Sequence, residues 1–103
     1  MKYNKLVRDK IPEIIKNDDK VPVVHTALDE EYSRKLKEKL VEEVNEYLGS
    51  GKEEELADIL EVVFALSDFK NIPKDVLEKI RKDKKEKRGS FSKKIILSEV
   101  LED

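Results

Sequence analysis

Residues 36–66 read LKEKLVEEVNEYLGSGKEEELADILEVVFAL, two periodic segments joined at a glycine turn. On the first side Leu36, Leu40, Val44, Tyr47 and Leu48 recur at intervals of three and four, the spacing of one helix face. Gly49-Ser50-Gly51 ends that helix, because glycine reaches the left-handed conformation that closes a helix C-terminus. On the second side, from Leu56 to Leu66, only Asp58 and Glu61 are polar. The pattern predicts a helix from Asp29 or Thr26 to about Leu48, and another from about Lys52 to Phe69. A turn this short makes them antiparallel.

The same stretch carries acids in a spaced array. At 100° per residue, with Glu42 as origin, Glu46 sits at about 40°, Lys39 at about 60° and Glu43 at about 100°, while the apolar set centres at about 190°. Three carboxylates therefore share an arc away from the hydrophobic face. Glu55 and Asp58, three apart, share one side of the next helix. The hairpin brings Glu43 and Glu46 within a helix width of Glu55 and Asp58. Carboxylates at that range repel unless a cation lies among them. Oxygen ligands without cysteine, and with only one histidine in the chain, select Mg²⁺, with Mn²⁺ or Ca²⁺ as alternatives, over zinc. Taken singly, each pattern is also what a solvated helix carries, and Glu42 and Glu46 read equally as surface residues. Asp58 differs, because it interrupts an apolar helix where an unpaired charge costs on the order of several kcal/mol.

Working outward, Asp9 is placed to cap a short helix that tolerates Pro12 in its first turn and carries Ile11, Ile14 and Ile15 inward. Asn17-Asp18-Asp19-Lys20 reads as a turn. Val21-Pro22-Val23-Val24-His25 reads as extended and unpaired, or as an edge strand, because proline interrupts it. His25 reads as a loop residue. Asn71-Ile72-Pro73 breaks the chain, and Pro73 begins a further helix to about Lys87, stopped by Gly89. The apolar residues of the tail from Phe91 to Leu101 are expected to pack back on the body. Tyr32, Tyr47, Phe64 and Phe69 fall at helical positions and read as core.

The expected architecture is all-α: one domain over residues 1–103, an antiparallel helical bundle of about four helices. The helix after the glycine turn is apolar nearly all round and needs cover on most sides, which one small chain does not supply. A homodimer completing the bundle is the expected solution, with a larger homo-oligomer left open.

Composition narrows the remainder. The chain has 103 residues, 45% of them charged, and no cysteine, which excludes a disulfide framework and thiolate–metal chemistry. No apolar run has the length of a membrane span and the N-terminus has no apolar signal core, so an intracellular, cytoplasmic protein is expected. The net charge of −2 conceals two blocks. Residues 29–61 hold twelve acids and five bases, and residues 81–94 hold eight bases and two acids. Such a pair suggests either a metal and a polyanion meeting between the blocks, or two surfaces that neutralise each other. The acidic block argues against a broad nucleic-acid surface.

Lys39-x-x-Glu42-Glu43-x-x-Glu46 followed by Glu55-x-x-Asp58 resembles the signature of the MazG-like nucleotide pyrophosphohydrolases, a superfamily that includes MazG, dimeric dUTPases and phosphoribosyl-ATP pyrophosphohydrolase. The opening Tyr3-Asn4-Lys5-Leu6-Val7-Arg8-Asp9-Lys10-Ile11-Pro12 and the late Lys87-Arg88-Gly89-Ser90-Phe91 resemble a small branch of it. The resemblance implies Mg²⁺-dependent cleavage of the α–β phosphoanhydride of a nucleoside triphosphate, giving monophosphate and pyrophosphate. It implies Glu43, Glu46, Glu55 and Asp58 as metal ligands, and Glu42 to orient or deprotonate water, with Glu43 able to exchange roles with it. Lys39, Lys87, Arg88, Lys5 and Arg8 become candidate phosphate contacts, and Phe91 and Tyr3 candidate base contacts. Each has a plainer reading. Lys39 forms a salt bridge to Glu42 or Glu43, Lys87-Arg88-Gly89 is a basic helix end with a glycine cap, and Lys5 and Arg8 belong to an exposed basic terminus. The competing function is a catalytically inactive helical dimer acting as an interaction module.

Overall fold

A computed structural model describes residues 4–102, and within them every regular element is helical. In chain order these are α1 (Ile11–Asn17), α2 (Asp29–Ser50), α3 (Glu53–Phe69) and α4 (Lys74–Arg88). The all-α expectation holds.

Local chemistry explains the boundaries. Asp29, Glu30 and Glu31 fill the first turn of α2, where the exposed amides and the helix dipole favour negative charge. Leu28 occupies the N-cap in an extended conformation without a side-chain cap. Gly49 stays within α2, and Gly51 alone supplies the left-handed cap, with φ 70° and its amide donating to the Tyr47 carbonyl at 2.7 Å. Asp9 does not cap α1: Lys10 is the N-cap residue and no side chain caps that helix. Segment 21–28 is irregular, without strand pairing.

Only Gly51 and Lys52 separate α2 from α3, and the two helices pack along their length. Their antiparallel sense is visible at the open end of the hairpin. There Tyr32, early in α2, meets Phe69, the last residue of α3, edge to face with centroids 5.5 Å apart. Leu36, 1% exposed, and Val62 are the buried apolar residues among those described. The core of one chain is therefore thin.

The elbow between α3 and α4 has its own lock. Asn71 takes φ 61°, a left-handed turn that asparagine tolerates. The Ile72 amide then donates to the Ser67 carbonyl at 2.8 Å, and the buried Ser67 hydroxyl donates to the Ile72 carbonyl at 2.6 Å. Beyond the elbow α4 touches α3 and, among the described residues, makes no contact with α2. Lys74 Nζ lies 4.6 Å from the centroid of the Phe64 ring, a cation–π contact that holds the start of α4. From Glu78 onward the helix leaves the body, and residues 78–88 are all exposed.

The expected return of the tail does not occur. After Gly89 residues 90–102 are irregular and exposed, with Phe91 at 97%. Ile95, Ile96, Leu97, Val100 and Leu101 are apolar, but no helix or strand forms there to gather them on one face. The chain departs from a wholly exposed helix end with no apolar surface beside it. The outcome is an elongated molecule, 67 × 32 × 22 Å, with a radius of gyration of 18.5 Å. A compact chain of this length has a radius of about 13 Å. No helix among the described residues is long and apolar enough to cross a membrane.

Candidate carboxylate site

Glu42 and Glu43 share one turn of α2 with Glu46 on the next, and Glu55 and Asp58 lie on the first two turns of α3. The helical wheel sets the three α2 acids away from the apolar face, but Glu43 is buried, 7% exposed. Of the three it stands nearest the apolar arc, so the packing of α3 covers it. Lys39, one turn earlier, follows it inward. Lys39 Nζ lies 3.2 Å from Glu43 Oε1 and 3.4 Å from Glu42 Oε2. Both salt bridges considered for Lys39 are thus formed.

One oxygen of Glu43 and one of Glu55, both Oε2, are buried without a hydrogen-bond partner among the described residues. Buried carboxylate oxygens without donors are costly, because water no longer solvates them. The other oxygen of Glu55 accepts from the Ser50 hydroxyl at 2.6 Å, across the glycine turn. Glu46 is exposed, yet its carboxyl is held above the ordinary glutamate range. The negative charge of Glu43 is the chief cause, followed by desolvation, the charge of Glu42, a side-chain contact with Glu43 and the charge of Glu55. Two ionised carboxylates are both acceptors, so that contact is a hydrogen bond only while one of them holds a proton. The α2 and α3 acids therefore act on one another, as the spacing implied.

Asp58 is not an unpaired charge in an apolar helix. Arg8 Nη2 donates to its Oδ1 at 2.7 Å, and its side chain is partly open to solvent. Lys5 Nζ donates to Glu42 Oε1 at 3.0 Å. Glu42 is held below the ordinary range: burial pushes it up, but the hydrogen bond from Lys5 and the charge and hydrogen bond of Lys39 outweigh that. Lys5 and Arg8 thus reach across to the acids. Each of these half-exposed pairs contributes about 0.2–1 kcal/mol.

With the carboxylates turned toward Lys5, Lys39, Arg8 and Ser50, no three acidic side chains among the described residues enclose a common ion position. A divalent ion nonetheless fits the chemistry of the set, because a buried oxygen of Glu43 and one of Glu55 are hard ligands with no donor among the described residues.

Lys87 and Arg88 are not brought to the acids. They lie on the exposed end of α4, among the described residues neither forms an ion pair, and Gly89 closes the helix with φ 86°. The plainer reading of that motif describes their position. Phe91 is exposed in the tail, and Tyr3 lies outside the described residues. His25 is an exposed loop residue that meets Glu31 Oε1 at 2.9 Å. Tyr32 and Phe69 pack together as read, and Tyr47 and Phe64 are partly buried. Sequence reasoning missed Ser67, whose signal was a lone hydroxyl in an apolar helix just ahead of a chain break.

No family model matches the chain, and no solved structure matches it. A stretch of 41 residues is 51% identical to an uncharacterized protein of Mycolicibacterium smegmatis. That stretch covers 40% of this chain and 42% of the relative, so the match spans less than half of either.

Proposed function

We propose that the chain is a Mg²⁺-dependent nucleoside triphosphate pyrophosphohydrolase of the MazG-like type, with Mn²⁺ as an alternative ion. The observation that carries the reading is the buried Glu43, with a donor-less oxygen, acting electrostatically together with Glu46 and Glu55 across an antiparallel hairpin. Glu43, Glu46, Glu55 and Asp58 would hold the ion, which when bound neutralises charge and polarises phosphate oxygens. Glu42, beside them and kept ionised by the neighbouring Lys39, accepts the proton of a water aimed at the α-phosphorus. Lys39 stays on the acids and holds Glu42 and Glu43 in place. The products are a monophosphate and pyrophosphate, and removal of non-standard nucleotides is one role such a reaction can serve. We place the protein in the cytoplasm, as a homodimer that covers the open side of α3.

The test is a panel of canonical and modified nucleotides with Mg²⁺, scored for products. Monophosphate with equimolar pyrophosphate, lost in Asp58→Asn, supports the proposal. Orthophosphate as the sole product counts against it.

A second reading has an observation in its favour. Lys5, Lys39 and Arg8 already neutralise three of the acids, which suits a catalytically inactive helical dimer acting as an interaction module. Titration with Mn²⁺ separates the two: the module binds none.

A further inference from the structure

Residues 4–8 precede any helix, yet three contacts fasten them across the hairpin. Lys35 Nζ donates to the Asn4 carbonyl at 2.7 Å, Lys5 to Glu42 at 3.0 Å, and Arg8 to Asp58 at 2.7 Å. The segment is a strap over the carboxylates, with one charged tie to α2 and one to α3. The cleft between strap and α2 measures about 190 Å³ and is lined by Lys5, Leu6, Lys39 and Glu42 among others. Sites for small organic ligands run to roughly 300–1,000 Å³. A nucleotide therefore does not fit beneath the strap as it lies. A wider depression of about 630 Å³, lined by Asp29, Arg34 and Phe69 among others, lies toward the start of α2 and reaches none of Glu42, Glu43, Glu46, Glu55 and Asp58.

We propose that Lys5 and Arg8 are exchangeable cations of the carboxylate site. They hold Glu42 and Asp58 while no divalent ion is bound. When Asp58 turns to an ion and Glu42 to water, the two side chains are released to the oxygens of a polyphosphate. The inference rests on the carboxylates being a divalent-ion site, and it adds an order of events: closed strap, exchange of partners, phosphate capture. Two features make the exchange accessible. Both ties are half-exposed ion pairs, which are individually weak. Both end on carboxylates that the proposed chemistry needs free. Lys39 also pairs with the acids, but it is fixed one turn away on the same helix and only slightly exposed, so it has no path out.

The exchange makes a two-signed prediction that a purely structural role does not. Mn²⁺ alone is titrated calorimetrically into the full chain, into Arg8→Gln and Lys5→Gln, and into Lys79→Gln as a charge control on α4. Removing a competing cation raises Mn²⁺ affinity roughly two- to fivefold in each strap variant. The same variants bind inorganic tripolyphosphate, presented as its Mn²⁺ complex, about tenfold more weakly. Lys79→Gln changes neither. Unchanged or weaker Mn²⁺ binding in Arg8→Gln overturns the placeholder role. Unchanged tripolyphosphate binding overturns the release to phosphate. If the wild-type chain binds no Mn²⁺ at all, the ion-site reading fails first and the exchange falls with it.

Discussion

Lys39 Nζ lies 3.2 Å from Glu43 Oε1, one turn apart on α2, with both side chains largely withdrawn from water. The remaining Glu43 oxygen has no donor among the described residues, so Lys39 is the main source of compensation for a buried negative charge. Removing one member of such a pair costs more than the pair contributes, because the other charge stays buried. Lys39→Met keeps the aliphatic stem and removes only the ammonium. It should lower unfolding free energy by about 2 kcal/mol in urea melts, and Mn²⁺ should restore part of the loss. Full stability without Mn²⁺ would show that Glu43 is not ionised and buried as described.

Glu42 and Glu46 stand one turn apart on α2 and titrate on opposite sides of the ordinary glutamate value. Glu42 is depressed, with burial opposing and the contacts from Lys5 and Lys39 prevailing; Glu46 is raised, chiefly by the charge of Glu43. The signs follow by linkage. Stability from Glu42 is present above the ordinary value and lost as pH falls through its lower folded pKa. The protonated form of Glu46 favours the fold, and that contribution is lost as pH rises through its raised value. Carboxyl ¹³C titrations should therefore separate the two, and Lys5→Gln should move Glu42 upward. Coincident curves for the pair would refute the charge arrangement.

Glu46 also yields a variant whose two effects differ in sign. Glu46→Gln removes a charge that Glu43, Glu42 and Glu55 oppose, so the metal-free protein should be at least as stable as wild type. The same change removes a proposed ligand, so the rise in melting temperature on adding Mn²⁺ should shrink or vanish. A destabilised variant with its Mn²⁺ response intact would argue that Glu46 is neither.

At the elbow, Ser67→Ala deletes a buried 2.6 Å hydrogen bond and leaves the Ile72 carbonyl without that donor. The expected cost is about 1–2 kcal/mol, read from the urea midpoint. Hydrogen exchange at the Ile72 amide should quicken as well, because its bond to the Ser67 carbonyl belongs to the same lock.

The hairpin is legible in the sequence because its signals are local: an apolar period of three and four, a glycine that takes φ 70°, and acids in first turns. Asp58 stands out by the cost of a lone charge, and the structure meets that cost with Arg8, fifty residues earlier. No local rule couples positions so distant. Glu43 escapes the helical wheel for a related reason: its position lies between the faces, and only the neighbouring helix decides which side it joins. The tail misleads because apolar residues do not by themselves name the surface they pack on, and the exposed end of α4 from which the tail departs offers none. Motif alone groups Lys87 and Arg88 with the acids, whereas the direction of α4 is set by the Ser67–Ile72 lock.

The open side of α3 leads to the last prediction. Val62 points into the hairpin and is buried, whereas Leu56 and Leu60, one turn apart on another side, remain 47% and 53% exposed. Val41 and Leu48 on α2 are exposed too, and among the described residues only Leu36 and Val62 are buried apolar side chains. A second copy laid on α3 would extend that core by apolar contact, and a stable dimer of the proposed kind would bury at least about 1,200 Å² in total. Sedimentation at micromolar concentration should return the mass of two chains. Leu60→Glu should return one chain and a lower melting temperature, because a charge on the stripe is solvated in the monomer and buried in the dimer. A wild-type monomer at high micromolar concentration, melting as cooperatively as Leu60→Glu, would mean that the hairpin stands alone and that α3 is covered by nothing of its own kind.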